Sequence, residues 1–206
     1  MVTDEFLTEL LGNGVEDEGD PAILDGALQA FLDFGIKRTS MGEIAKRSGV
    51  SPATLYRRFA SKNAVVTAVG LREARRFIAT VDNAVDRTIE PRDRVTQGFV
   101  AFATTLAGNR LLQRLLVTEP DAVLPYVTTG AGPVLAIGRG YIATILREFQ
   151  PLNGMSDKEI EEVAEILARL ALSLALTPGG VIPLDDPEAA ATFAESHLAL
   201  LIRIPA

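Results

Sequence analysis

SMGEIAKRSGVSPATLYRRF, residues 40–59, decides how the rest of the chain is read. Ser40 stands three residues before Glu43, the spacing at which a serine hydroxyl accepts an amide hydrogen bond while the glutamate reaches back. Ile44 and Ala45 are the inward positions of the helix this starts, over residues 40–48, and Gly49 ends it. Ser51-Pro52 caps a second helix, running to about Phe59, with the proline in the first turn, where its missing N–H costs nothing. Leu55 and Phe59 are four apart and share a face that can pack on Ile44 and Val50; Pro52, Ala53, Thr54, Tyr56 and Arg57 point outward. The pattern predicts two short helices around a glycine turn, a helix-turn-helix.

The charge distribution says what such a unit would face. Residues 1–20 carry seven acids and no base. Residues 21–80 carry ten bases against four acids, a net +6, and the remainder ten bases against sixteen acids, a net −6. A basic segment inside a chain of net charge −7 points to a polyanion as its partner. In a helix-turn-helix the second helix enters the major groove of duplex DNA and presents its N-terminal residues to base edges. Arg57 can pair with guanine through two hydrogen bonds, and the methyl groups of Ala53 and Thr54 can touch thymine. Tyr56, Arg58 and Lys62 suit phosphate oxygens, and Thr39, Ser40 and Ser51, at helix starts, can serve the same end.

Around this motif nearly every segment reads as helix. Asp20-Pro21 begins one that shows Ile23, Ala27, Phe31 and Phe34 on one face and ends at Gly35. Ser61 caps a long helix to about Arg87, and others follow at about 92–108, 110–118, 121–127 and 133–149. Ser156-Asp-Lys-Glu159 opens another to about Leu176, and Asp186-Pro187 the last, to near Ile204. No β-alternation of useful length occurs. The expected fold is all-α with about nine or ten helices: an acidic, flexible tail over 1–20, a helix-turn-helix domain over 21–66 and a larger helical body over 67–206.

The residues Phe34-Gly35, Thr39-Ser-Met-Gly-Glu-Ile-Ala45 and Ser48-Gly-Val-Ser-Pro-Ala-Thr-Leu-Tyr-Arg-Arg-Phe-Ala-Ser-Lys62 resemble the DNA-binding signature of the TetR (tetracycline-repressor-like) regulators. The resemblance covers about residues 22–68. It implies a three-helix DNA-binding head, a connecting fourth helix and a variable helical body for ligand binding and dimerisation. Tyr56 and Lys62 match the family's phosphate-contacting positions, and Thr54 and Arg57 fall among its base-contacting ones. Arg58 stands where the family often has histidine, and Gly42 offers no side chain where some members read a base.

A single short recognition helix reads too few bases, so a homodimer on a palindromic operator is expected. The last two helices are apolar enough to need partners on two sides. Ile160, Val163, Leu167, Leu170 and Leu174 with Phe193, His197 and Leu201 are the expected dimer residues. A pocket for a small, largely apolar effector is expected among the helices between 92 and 149. Phe99, Phe102, Leu106, Leu111, Leu115, Tyr126 and Tyr141 are its candidate wall.

Other classes fit poorly. There is no cysteine and one histidine, so neither a thiolate zinc site nor a metal site built on His197 is expected, nor any other cofactor. No P-loop, G-x-S-x-G or H-E-x-x-H motif occurs, and Gly130-Ala-Gly132 follows no strand, so the chain does not read as an enzyme. The longest uncharged run, between Asp121 and Arg139, is too short and too broken by proline and glycine to cross a membrane. A cytoplasmic protein is expected. The alternatives are a solidly packed helical DNA-binding or scaffolding protein that answers to no ligand and, behind it, a small-molecule enzyme.

Overall fold

The structure, a computed structural model, describes residues 20–204; the expected acidic tail lies outside the described residues apart from Asp20. Asp20 caps α1 (Pro21–Phe34), its carboxylate accepting from the Ala22 amide at 3.0 Å. Ile23, Leu24, Ala27, Ala30 and Phe31 recur at helical spacing and are all buried. Gly35 ends the helix at φ +81° and ψ 165°, a conformation reached essentially by glycine alone.

Ser40 caps α2 (Met41–Arg47) by accepting from the Glu43 amide at 3.2 Å. The expected capping box is only half made, because the Glu43 carboxylate turns forward to accept from Arg47 Nε at 2.8 Å. Gly49, at φ +67°, turns the chain so that the Val50 amide donates to the Ala45 carbonyl at 3.1 Å. Ser51 then caps α3 (Pro52–Arg58), accepting from the Thr54 amide at 3.1 Å.

α4 (Lys62–Asn83) stops four residues short of the expected Arg87. Beyond it the Asp86 carboxylate accepts from the Thr88 amide at 2.8 Å and the Thr88 hydroxyl at 2.7 Å, a local turn that competes with helix. There follow α5 (Pro91–Gly108), α6 (Arg110–Thr118), α7 (Pro120–Val127), α8 (Gly132–Glu148), α9 (Gln150–Asn153) and α10 (Asp157–Leu176). The last helix, α11, runs over 187–201 as Pro187–Phe193, a π-helical turn Ala194–Leu198, and Ala199–Leu201. The fold is all-α, with no strand among the described residues and eleven helical segments; α9 is the one unforeseen.

Packing groups these helices into two compact units that do not follow chain order. Among the described residues, one takes Asp20 to Arg76 together with Leu111–Val134; the other takes Phe77–Arg110 and the described chain from Leu135 onward. In the first, Ile23, Leu24, Phe31, Ile44, Leu55, Phe59 and Val65 form the buried centre, and Leu111, Leu115, Val123 and Tyr126 pack against it from α6 and α7. Three short helices alone would bury too little to close a core, so α6 and α7 complete it. Buried Arg72 of α4 reaches Asp25 of α1 at 2.8 Å.

The second unit has two apolar clusters. Leu146, Phe149, Met155, Ile160 and Ile202 form one; Phe99, Leu174, Ala190 and Ala194, joined by Phe102, Leu170 and Phe193, form the other. α10 opens with the complete capping box predicted at Ser156–Glu159. Glu159 accepts from the Ser156 amide at 2.9 Å and hydroxyl at 2.8 Å and pairs with Arg203 at 2.9 Å. The Ser156 bonds first, then Arg203, pull the Glu159 carboxyl down to about 2. Because the folded value lies below the unfolded one, this stabilisation is present above about pH 4.5 and is lost as pH falls toward 2. Glu159→Gln is therefore expected to lower the thermal midpoint at pH 7 and to make little difference at pH 2, measured by circular dichroism melts of both proteins.

Candidate nucleic-acid interface

α3 is a helix of seven residues, too short to hold itself together in water, and it is fixed from one side by Leu55 and Phe59. Leu55 is fully buried and Phe59 nearly so, both in the cluster with Ile44 as the spacing predicts. With that face committed, the opposite edge is solvent-facing: Ser51, Pro52, Ala53, Tyr56, Arg57 and Arg58 are exposed, and Tyr56 keeps 56% of its surface open. Thr54 is half-buried, its hydroxyl 2.9 Å from that of Ser51.

The cations on this edge are unspent, as is Lys46 of α2: among the described residues no ion pair or hydrogen bond engages the side chains of Lys46, Arg57 or Arg58. Arg47, next to Lys46 in the chain, pairs with Asp33 at 2.6 Å and Glu43 at 2.8 Å and lies over the Phe34 ring at 4.8 Å. Lys46 was not singled out in the sequence, although its position one step before a paired arginine on a helix with an inward Ile44-Ala45 face marks it as outward. Ser40 is exposed and, while its oxygen accepts from Glu43, its hydroxyl proton remains free to donate.

Two residues expected at phosphates sit elsewhere. Thr39 is 2% exposed, and its hydroxyl donates to the carbonyls of Gly35 at 2.7 Å and Ala30 at 3.2 Å. Lys62 is half-buried; its ammonium donates to the carbonyls of Ile36 at 2.9 Å, Thr39 at 3.0 Å and Lys37 at 3.2 Å, which uses all three of its protons. The turn between α1 and α2 leaves these carbonyls without amide partners, and the lysine at the start of α4 supplies a donor to each. Lys62→Ala is expected to cost about 1–2 kcal/mol of stability, with water replacing the ammonium at the more exposed carbonyl. The salt slope of DNA binding should stay within about half a unit of the unaltered protein's, where a phosphate-contacting lysine would change it by about one. Denaturant melts and salt titrations of duplex binding measure the two quantities.

The residues expected around a pocket divide. Leu111, Leu115 and Tyr126 pack against the core beneath α2 and α3, for the reason of closure given above. Phe99 and Phe102 belong to the α5 and α11 cluster, their rings 6.1 Å apart, with Phe77 at 5.8 Å from Phe102 and Phe193 at 5.3 Å from Phe99. Leu106 is buried on α5. The Tyr141 hydroxyl donates to Asp82 at 3.0 Å, and burial, then the Asp82 charge, push its ionisation well above the ordinary range, so it is a neutral donor throughout. Arg87 bridges Asp82 at 2.8 Å and Glu148 at 3.0 Å, and Arg94 also pairs with Glu148, so this end of α4 is held by charge.

The dimer candidates divide as well. Ile160 and Leu174 are buried in their own unit, which corrects their expected place on an outer face. Val163, Leu167, Leu170 and Phe193 are half-buried against the same clusters, and His197 is exposed with its ring 5.0 Å from that of Phe193. The apolar side chains that α10 and α11 leave open are Ile166 at 52%, Leu200 at 70% and Leu201 at 37%. Ile166 was missed in the sequence because a helix with apolar residues on most sides does not say which stripe is the inner one.

Two family models match the chain: "Bacterial regulatory proteins, tetR family" over residues 23–69, and "Bacterial Tetracyclin repressor, C-terminal domain" over residues 91–197. An uncharacterized HTH-type transcriptional regulator of Mycobacterium tuberculosis, MT1294, is 30% identical over 191 residues, 85% of this chain and 89% of that one. The HTH-type transcriptional regulator AlkX of Mycobacterium tuberculosis is 26% identical over 87% of this chain and 89% of its own length. Among solved structures, the repressor AlkX from Dietzia sp. superposes with a TM-score of 0.71 at 21% identity, over 91% of this chain and all of that one.

Proposed function

The chain belongs to the tetR family of bacterial regulatory proteins and is an HTH-type transcriptional regulator, and from that premise we propose a repressor that grips a palindromic operator as a homodimer and leaves it when a small, largely apolar effector binds. The observation that carries this reading is the outward edge of α3, with two arginines that no acid in the described chain neutralises. Arg57 and Thr54, with the Ala53 methyl, are assigned to base edges in the major groove. Tyr56, Arg58, Ser40, Ser51 and Lys46 are assigned to phosphates. In this reading residues 21–66 are the DNA-binding domain and 67–206 the effector and dimerisation domain, and the protein works in the cytoplasm.

Dimerisation is supported by Ile166, Leu200 and Leu201, large apolar side chains left open on two successive helices. An apolar effector is supported by the ring cluster Phe77, Phe99, Phe102 and Phe193, which offers aromatic surface and few polar groups. Release follows if the effector favours a spacing of the two recognition helices other than the roughly 34–36 Å that successive major grooves demand. α4 contributes residues to both compact units and is the element through which that change would pass.

The test is a duplex recovered from random DNA by selection with the full chain, followed by anisotropy titrations. Two protomers per duplex and release by a member of a panel of hydrocarbons, fatty acids and aromatic acids support the reading. Binding that no panel member alters at saturation points instead to the ligand-independent protein, and failure to enrich any duplex removes the operator.

A further inference from the structure

The connection between α1 and α2, residues 35–40, has no regular structure, yet side chains satisfy it at almost every point. Arg38 Nε donates to the Phe34 carbonyl at 2.9 Å, Thr39 takes those of Ala30 and Gly35, and Lys62 takes those of Ile36, Lys37 and Thr39. Two further partners, one for the last turn of α1 and one for the connection itself, come from a part of the chain about eighty residues away. Arg114 of α6 donates to the Leu32 carbonyl at 2.6 Å, and the Glu119 carboxylate, at the start of α7, accepts from the Lys37 amide at 3.0 Å. Glu119 can stand there only because residue 35 has no side chain: a Cβ on Gly35 would lie 1.9 Å from its Oε1. All of these residues belong to one compact unit.

We infer that Glu119 is a positioning residue for DNA binding, acting through the 35–40 connection that it clamps while Arg114 holds the last turn of α1 beside it. The route is short. Glu119 fixes the Lys37 amide, and the Lys37 carbonyl is one of the three acceptors that seat the Lys62 ammonium. Lys62 begins α4, and Ser40, at the far end of the same connection, caps α2, on which α3 rests. A carboxylate is suited to the task because a charged acceptor makes a stronger bond to an amide than a neutral one. The accompanying pair of Lys37 Nζ and Asp121, at 3.3 Å, is widely exposed and adds little. The 111–134 segment lies within the stretch matched by the C-terminal family model, so an event in that part of the chain can reach α2 and α3 without passing along α4. By reciprocity, DNA that orders the head must also steady α6 and α7.

This inference rests on the DNA-binding reading above, and the experiment separates the two. With the full chain and the selected duplex, Glu119→Ala is expected to weaken binding at least about tenfold, with amide exchange faster at residues 36–40 and the far-ultraviolet spectrum unchanged. Glu119→Gln, whose amide oxygen can still accept from Lys37, is expected to recover affinity to within about threefold of the unaltered protein. In the unaltered protein, saturation with the duplex is expected to slow amide exchange across residues 111–127. Wild-type affinity in Glu119→Ala, no recovery in Glu119→Gln, or exchange over 111–127 indifferent to DNA would each overturn the inference while leaving DNA binding intact. A wild-type chain that enriches no duplex overturns both.

Discussion

Leu55→Ala is expected to destabilise the DNA-binding unit by about 2–5 kcal/mol, the largest effect of any single change considered. Leu55 is fully buried beneath α3, in one cluster with Ile44, Phe31 and Phe59. Truncation removes the transfer energy of the side chain and leaves a cavity between α2 and α3. The helix above it spans seven residues and has no independent stability to fall back on. For a chain of this size the loss corresponds to a fall of roughly 5–20 °C in the thermal midpoint. Leu55→Met, which nearly conserves volume, should cost less than about 1.5 kcal/mol. Calorimetry of the two variants, with duplex binding measured below both midpoints, checks the claim; equal midpoints for Leu55→Ala and the unaltered protein would contradict the packing described.

Arg57→Ala is expected to weaken binding to the selected duplex by about 1–3 kcal/mol and to erase the preference at one base pair per half-site. Its guanidinium is exposed and has no partner within the described chain, so none of this loss comes from folding, and the melting curve should be unchanged. Arg57→Lys keeps the charge but loses the planar fork, so it should restore overall affinity in part and specificity hardly at all. Arg58→Ala should behave in the opposite way, weakening all duplexes alike and lowering the salt slope by about one. Anisotropy titrations against the duplex and its single-base variants, at two salt concentrations, distinguish the patterns. Uniform weakening by Arg57→Ala would reassign it to phosphate.

The helix-turn-helix was legible because its signals are local. Serine caps at 40 and 51, glycines at 35 and 49, and the Leu55–Phe59 pair each declare themselves within a few residues, and each is found in place. What the sequence hid depends on distant partners. Lys62 has the right charge and position for a phosphate, and only the folded turn shows three carbonyls closer to hand. Thr39 reads as a polar residue at a helix start, yet its hydroxyl is consumed by carbonyls four and nine residues back. Leu111, Leu115 and Tyr126 carry an apolar face whose destination, the core under α3, cannot be deduced from periodicity. The α10 and α11 stripes show the same ambiguity: the sequence shows that they are apolar on several sides, and only packing identifies Ile160 as inner and Ile166 as outer.

The discontinuous first unit bears on how heads can be traded between relatives. A chimera joined at residue 66 would take the recognition helix but leave behind the α6 and α7 side chains that close its core, replacing them with a stranger's. The apolar fit around Leu111, Leu115 and Val123 and the Glu119 approach to Gly35 would both be lost at that seam. A graft that keeps its operator preference must therefore transplant two pieces, residues 20–76 and the insert 111–134, as one inherited module.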